Sequence, residues 1–129
     1  QALASDRVTV TGWVDDIAAE YRAATLFVAP LRIGTGLQNK VLEAMATEVP
    51  CVLSPHAFAP LNLPSTGHAV VCQDAAAFAE AVDDLLGASA EARDMARRAK
   101  LSIEGQFAWR THSQTLSELL IRVAGHASV

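Results

Sequence analysis

Residues 25–54, TLFVAPLRIGTGLQNKVLEAMATEVPCVLS, predict a strand, a glycine-containing loop, a helix and a second strand. The apolar, β-prone run at residues 25–29 stops at a proline, and a second apolar run at residues 49–53 closes the unit. Between the two runs, Leu37, Val41 and Met45 recur at helical spacing. This order predicts a βαβ unit, with the loop at the carboxyl end of its first strand.

The loop of this unit suits an anionic ligand. Gly34 and Gly36 free the backbone just before the helix, whose unpaired N–H groups and positive dipole end face the loop. Glu43 lies on the helix face that carries Gly36 and Asn39, roughly 9 Å along the axis from the first turn. Its side chain leans toward the helix N-terminus. A phosphate at the helix tip and a hydroxyl-rich group beside the carboxylate together describe a nucleotide or a nucleotide sugar.

Plainer interpretations of the same residues remain open. Glu43 can be a surface carboxylate that pairs with Lys40, three residues earlier, and Lys40 can instead reach a phosphate. Asn39 can offer its amide to a ligand or simply be exposed. His56 directly follows a predicted strand, where ligands collect in α/β sheets, but a lone loop histidine is more often structural.

Composition restricts the class of protein. The 129 residues are enough for one domain with a real core, and no apolar run approaches the roughly 20 residues of a membrane span. The net charge of −4 without a basic block argues against nucleic acid as a partner. Cys51 and Cys72 lie in apolar runs, which predicts free buried thiols in a reducing cytoplasm. No Cys/His spacing matches a zinc site.

The rest of the chain continues the alternation of strands and helices. It predicts strands at residues 7–12 and 68–72, an irregular proline-rich segment at 54–67, and helices at 17–24, 74–86, 89–104 and 109–123. Asp74 is expected to cap the helix that Gly87 ends, and Gly105 to end the following helix. The fold class is therefore α/β, a parallel sheet of about four strands with helices on both faces and a helical C-terminal segment. We expect one partial domain over residues 1–129, with an α/β core at 1–87 and C-terminal helices at 88–129, because the chain starts with Gln1 and resembles a piece of a longer protein.

Four segments resemble one family of enzymes. VTVTGWVDD (8–16), the stretch from 26 to 55, HAVVCQDAAAFAEAVDDLL (68–86) and QFAW (106–109) are similar to the C-terminal, donor-binding half of GT-B-fold glycosyltransferases. The nearest group is the retaining, group 1 (family 4) type. The most specific part, PLRIGTGLQNKVLEAMA (30–46), resembles sugar transferases of bacterial exopolysaccharide systems.

The resemblance implies an activity for the full-length parent. Such an enzyme transfers a sugar, as a hexosyltransferase, from a nucleotide-sugar donor to a glycan or lipid-linked acceptor in surface polysaccharide biosynthesis. It needs no metal or other cofactor, has its acceptor site on an N-terminal domain, and works in the cytoplasm or peripherally at the inner face of the membrane. This chain alone is then expected to be inactive.

The resemblance also assigns residues to the donor site. Glu43 would hold the ribose hydroxyls, the helix start would meet the diphosphate, and Gly12 would lie near the base. The complete set is Gly12, Gly34, Thr35, Gly36, Leu37, Gln38, Asn39 and Glu43. Thr35 stands eight positions before Glu43, where many members carry a glutamate that contacts the donor sugar. The catalytic residues and the choice of sugar are therefore left open.

Two alternatives share the fold, and one structural consequence follows. The alternatives are a sugar-nucleotide 2-epimerase and a non-catalytic binding domain, the latter suggested by Thr35. Two strands of a complete domain would separate residues 7–12 from residues 25–29, so we expect these strands to pair directly or the chains to associate. The stripe of Leu116, Leu119, Leu120 and Val123 on the last helix lacks the N-terminal domain that would cover it.

Overall fold

A three-stranded parallel sheet lies at the centre of the chain. The computed structural model describes residues 4–34, 36–64 and 66–126. The strands are β1 (Phe27–Ala29), β2 (Cys51–Leu53) and β3 (Val70–Val71), in the spatial order β1-β2-β3. Phe27 is in register with Cys51, and Val52 with Val70. The predicted α/β class with a parallel sheet is confirmed, with three described strands in place of about four.

Six helices surround this sheet in the described ranges. In chain order they are α1 (Ile17–Ala23), α2 (Asn39–Ala46), α3 (Pro55–Phe58), α4 (Ala75–Gly87), α5 (Ser89–Phe107) and α6 (Trp109–His126), with a 3₁₀ turn (Ala59–Leu61) after α3. Polar side chains cap the N-termini of three of these helices. Asp16 caps α1, Ser54 caps α3 and Asp74 caps α4, each accepting a hydrogen bond from a backbone N–H three residues on. The predicted cap at Asp74 is thus confirmed.

The two faces of the sheet pack against different helices. Cys51 and Leu53 of β2 point to one side, into a core with the buried residues of α2 and α5. Val52 points to the other side and packs with Cys72 and with Ala81 of α4. Successive residues of a strand face opposite sides, so the fully buried pattern of β2 follows from its cover of helices on both faces.

The prediction of a strand at residues 7–12 is wrong. Ser5 and Val8 form an isolated antiparallel bridge, in which each residue's N–H donates to the other's carbonyl at 3.0 and 3.1 Å. These two bonds pair residues at the start of the segment with each other, and Val8 and Val10 stay about half exposed. The direct pairing expected with β1 does not form in the described part of the chain, where the outer edge of β1 is unpaired.

Two helix boundaries also differ from expectation. The segment predicted to be irregular begins with α3, because Pro55 occupies the first helical turn, where its missing N–H costs nothing. Phe58 and Leu61 are then buried in the core. Gly105 does not end its helix, and α5 continues to Phe107. An interior glycine costs a helix only about 1 kcal/mol, and α5 is packed against α2, α4 and α6.

Both cysteines are free and buried, as expected. Burial in the core raises the pKa of the Cys51 thiol to about 12. None of the helices, within the residues that the structure describes, has the length and apolarity needed to cross a membrane.

Candidate functional site

The N-terminus of α2 is open to a ligand. Gly36 has a φ of +77°, in the left-handed region that glycine adopts without strain, and it turns the chain into the helix. The side chain of Gln38, at the N-cap position, makes no capping hydrogen bond and instead donates from Nε2 to the carbonyl of Gly36, at 3.4 Å. The first turn holds no acidic residue. Unlike α1, α3 and α4, this helix therefore keeps its positive end free for an anion.

Glu43 is held by a tyrosine from another element. The Tyr21 hydroxyl on α1 donates to Oε2 of Glu43, at 3.4 Å. The Tyr21 ring in turn meets Phe27 of β1 edge to face, with 5.7 Å between ring centroids. The alternative ion pair between Glu43 and Lys40 does not form among the described residues. No local sequence pattern marks this contact, because the two residues lie 22 positions apart in the chain.

This contact changes the acid–base behaviour of the tyrosine. The pKa of Tyr21 is raised above its ordinary value of 10.0, first by burial and then by the charge and the hydrogen bond of Glu43. Both effects of Glu43 favour the neutral phenol over the phenolate. Tyr21 therefore supports stability fully below pH 10.0, and this support is lost as the pH rises through the raised pKa.

A titration can test the pairing of Tyr21 with Glu43. The chain has one tyrosine, so phenolate absorbance reports Tyr21 alone. We expect Glu43→Gln to lower the Tyr21 pKa toward 10.0 without reaching it, because burial is the largest cause of the shift. Glu20→Gln, on the same helix but not a cause of the shift, is the control and should leave the pKa unchanged. An equal pKa in the wild type and in Glu43→Gln would show that the two side chains do not interact.

A groove lies beside Glu43. This cavity, which we call the Glu43 groove, has a volume of about 350 Å³. Its walls come from α2 and its N-terminal approach on one side and from the junction of α5 and α6 on the other: Leu37, Asn39, Leu42, Glu43, Phe107, Trp109 and His112. The structure thus brings together three of the expected site residues. Phe107 and Trp109 were not assigned to the site, although the sequence QFAW places two aromatic residues at the junction of α5 and α6.

A larger cavity opens at the carboxyl ends of the strands. This strand-end cavity has a volume of about 560 Å³. Its lining includes residues that follow β1 (Pro30, Leu31, Arg32), β2 (Ser54, Pro55, His56) and β3 (Gln73, Asp74), together with Phe78 of α4. From the sequence, only His56 was considered as a ligand residue, and Asp74 was predicted only to cap a helix. The others could have been found by collecting the residues that follow each strand, because ligands bind at that edge of a parallel sheet.

The remaining expected site residues are more scattered. Gly34 lies beside Gln38, whose Nε2 would be 3.5 Å from a Cβ added at Gly34. Gly12 has a φ of +68°, has open space around it and lines neither cavity. Thr35 lies outside the described residues. Within the described ranges, no three His, Cys, Asp or Glu side chains gather in a way that could hold a metal ion.

Comparison with known proteins identifies the family. The family model described as glycosyl transferases group 1 matches residues 1–88, and the chain belongs to this family. The fold is similar to that of sucrose-phosphate synthase from Thermosynechococcus elongatus, with a TM-score of 0.67 and 20% sequence identity. The match covers 85% of this chain and 28% of that chain, so this chain spans less than a third of that protein's length. No curated protein matches the sequence. The expected group 1 glycosyltransferase family and the Rossmann-like GT-B fold are thus confirmed.

Proposed function

We propose that this chain is the donor-binding part of a glycosyltransferase. The full-length enzyme would transfer a sugar from a nucleotide sugar to a glycan or lipid-linked acceptor in surface polysaccharide biosynthesis. The family match over residues 1–88 supports the reaction class. The observation that carries the proposal is α2 itself, which has an uncapped N-terminus and, one turn beyond Asn39, the carboxylate of Glu43. A nucleoside diphosphate needs this combination of an anion site and a hydroxyl acceptor.

Each part of α2 has a role in this proposal. Backbone N–H groups at its start would bind the diphosphate and stabilise the negative charge that builds up on it as the sugar leaves. These dipoles are held in place by the helix itself, so they need no reorganisation during the reaction. Glu43 would accept hydrogen bonds from the ribose hydroxyls, and Tyr21 would hold the carboxylate in position. No metal ion is required in this arrangement.

The setting of the full-length enzyme is part of the proposal. Residues 1–129 would form one partial domain of it, inactive alone, and the acceptor would bind to another domain. We place the enzyme in the cytoplasm or at the inner face of the membrane. The free, buried thiols of Cys51 and Cys72 support a reducing compartment.

A turnover assay tests the proposal. The full-length protein is incubated with a panel of UDP-, GDP- and dTDP-linked hexoses, with and without lipid-linked and oligosaccharide acceptors. We expect release of the nucleoside diphosphate and extension of the acceptor only when both substrates are present. Conversion of the sugar nucleotide to its epimer without an acceptor would instead support the 2-epimerase, and failure to bind any member of the panel would support a non-catalytic binding domain.

We also propose that the isolated chain self-associates. The outer edge of β1 is unpaired among the described residues, with Val28 43% exposed, and the apolar stripe of α6 (Leu116, Leu119, Leu120, Val123) is more than half exposed. Both are surfaces that proteins normally cover.

Light scattering coupled to size exclusion checks this association. We expect the isolated chain to have at least twice the mass of a single chain, and the double variant Leu116→Glu/Leu120→Glu to have a lower mass. Glu118→Gln, outside the stripe on the same helix, is the control and should behave as the wild type. A wild-type chain that is strictly monomeric would contradict the proposal.

A further inference from the structure

The strand-end cavity has the chemistry of a carbohydrate site. Its lining combines the half-buried apolar side chains of Leu31, Pro55 and Phe78 with the exposed polar side chains of Arg32, His56 and Asp74. The apolar C–H face of a sugar ring packs on such apolar side chains, and its hydroxyls hydrogen-bond to polar side chains that offer both donors and acceptors. The volume of about 560 Å³ lies in the range of small-molecule sites and exceeds what one hexose needs.

One loop joins this cavity to the Glu43 groove. Leu31 and Arg32, at the start of the loop, line the strand-end cavity. Leu37, near the end of the loop, and Asn39, the first residue of α2, line the groove. A donor whose diphosphate rests at the start of α2 and whose ribose lies beside Glu43 would therefore have its far end near the strand-end cavity. That far end is the transferred sugar. Resting on the proposed function, we infer that the strand-end cavity binds this sugar and that Asp74 is a specificity-determining contact.

The charge distribution separates the two subsites. Asp74 places a carboxylate at the N-terminus of α4, where Oδ1 accepts from the N–H of Ala77 at 3.0 Å. This carboxylate caps the positive end of α4, so that helix end offers no site for the diphosphate, whereas the N-terminus of α2 has no side-chain cap. The other carboxylate oxygen has no donor among the described residues. Because a carboxylate only accepts hydrogen bonds, it suits a sugar hydroxyl.

A single substitution can separate the two roles of Asp74, as the cap of α4 and as the proposed contact to the sugar. Asn caps a helix about as well as Asp, so Asp74→Asn keeps the acceptor for Ala77 and replaces only the free carboxylate oxygen by an amide group. The matched control is Asp16→Asn. Asp16 caps α1 with the same 3.0 Å geometry, through the N–H of Ala19, but lines neither cavity.

The experiment measures binding to the full-length protein by calorimetry. The probes are UDP-, GDP- and dTDP-linked hexoses and the matching sugar-free diphosphates. We expect Asp74→Asn to weaken binding of the preferred sugar nucleotide by about tenfold or more, since a hydrogen bond to a charged group is lost. Its affinity for the sugar-free diphosphate should stay within about twofold. Asp16→Asn should change neither affinity, and melting temperatures verify folding.

The pattern of affinities distinguishes the possible failures. If the wild type binds the diphosphate but Asp74→Asn affects both ligands equally, or neither, the sugar subsite is overturned while the proposed function stands. If the wild type binds neither ligand, both are overturned. His56→Gln, which changes an exposed residue of the cavity lining without touching a helix cap, is a second variant and should show the same selective loss for the sugar nucleotide.

Discussion

In the full-length protein, Glu43→Gln is expected to weaken nucleotide-sugar binding by about one to two orders of magnitude. A carboxylate accepts a hydrogen bond at both oxygens, whereas an amide accepts at only one and presents donors at the other. A ribose with two neighbouring hydroxyls would therefore lose one charge-assisted hydrogen bond and meet a misplaced donor. Tyr21 can still donate to the remaining amide oxygen, so the side chain should keep its position.

Calorimetric titration with the sugar nucleotide and with the sugar-free diphosphate measures this effect. Both affinities should fall by a similar factor, because the ribose is common to the two ligands. Glu20→Gln, an exposed carboxylate of α1 that lines neither cavity, is the control. Donor affinity and turnover that are unchanged by Glu43→Gln would remove Glu43 from the site.

Leu53→Ala is expected to lower the free energy of unfolding by about 2–5 kcal/mol. Leu53 is fully buried in the central strand, between Ala29 of β1 and Val71 of β3. The substitution loses the transfer free energy of the side chain and leaves a cavity that a hydrogen-bonded strand cannot easily close. A domain of this size is stable by only about 5–15 kcal/mol, so the loss would be a large part of the total.

Urea unfolding followed by circular dichroism measures the change. Leu101→Ala is the matched control, because Leu101 lies on α5 with 59% of its surface exposed. Its free energy of unfolding should change by no more than about 0.5 kcal/mol. Equal destabilisation by the two substitutions would show that Leu53 is not at the centre of the core.

Local patterns made much of the fold predictable. The two apolar runs at residues 25–29 and 49–53 contain β1 and β2, because each is short, β-prone and bounded by a proline or a cap. Asp74 could be assigned as a cap because its side chain bonds within its own helix turn. In each case the determining interactions lie within a few residues of one another.

The secondary-structure predictions failed where contacts between distant parts of the chain determine the structure. Residues 7–12 have a strand's composition, but a strand needs a neighbour, and none of these residues pairs with β1 among the described residues. Gly105 has a low helix propensity, yet α5 continues through it, and α2, α4 and α6 pack against this helix. A propensity cannot show either effect, because both depend on what lies across from the segment.

The candidate site also combines residues that could be predicted from the sequence with residues that could not. Gly36 and Glu43 were identified from spacing on one helix and its preceding loop. Tyr21 could not be assigned as the partner of Glu43, because the two residues are 22 positions apart and meet only through the packing of α1 on α2. The strand-end cavity likewise draws its lining from the ends of three strands, which come together only in the folded sheet.

A crystal structure of the full-length protein with its nucleotide sugar bound would test the central claim most directly. We predict diphosphate oxygens at about 2.7–3.2 Å from backbone N–H groups at the start of α2. The ribose hydroxyls should contact Glu43, and the sugar should lie in the strand-end cavity beside Asp74. A diphosphate bound away from α2, with Glu43 still paired only to Tyr21, would contradict the assignment of this helix as the donor site.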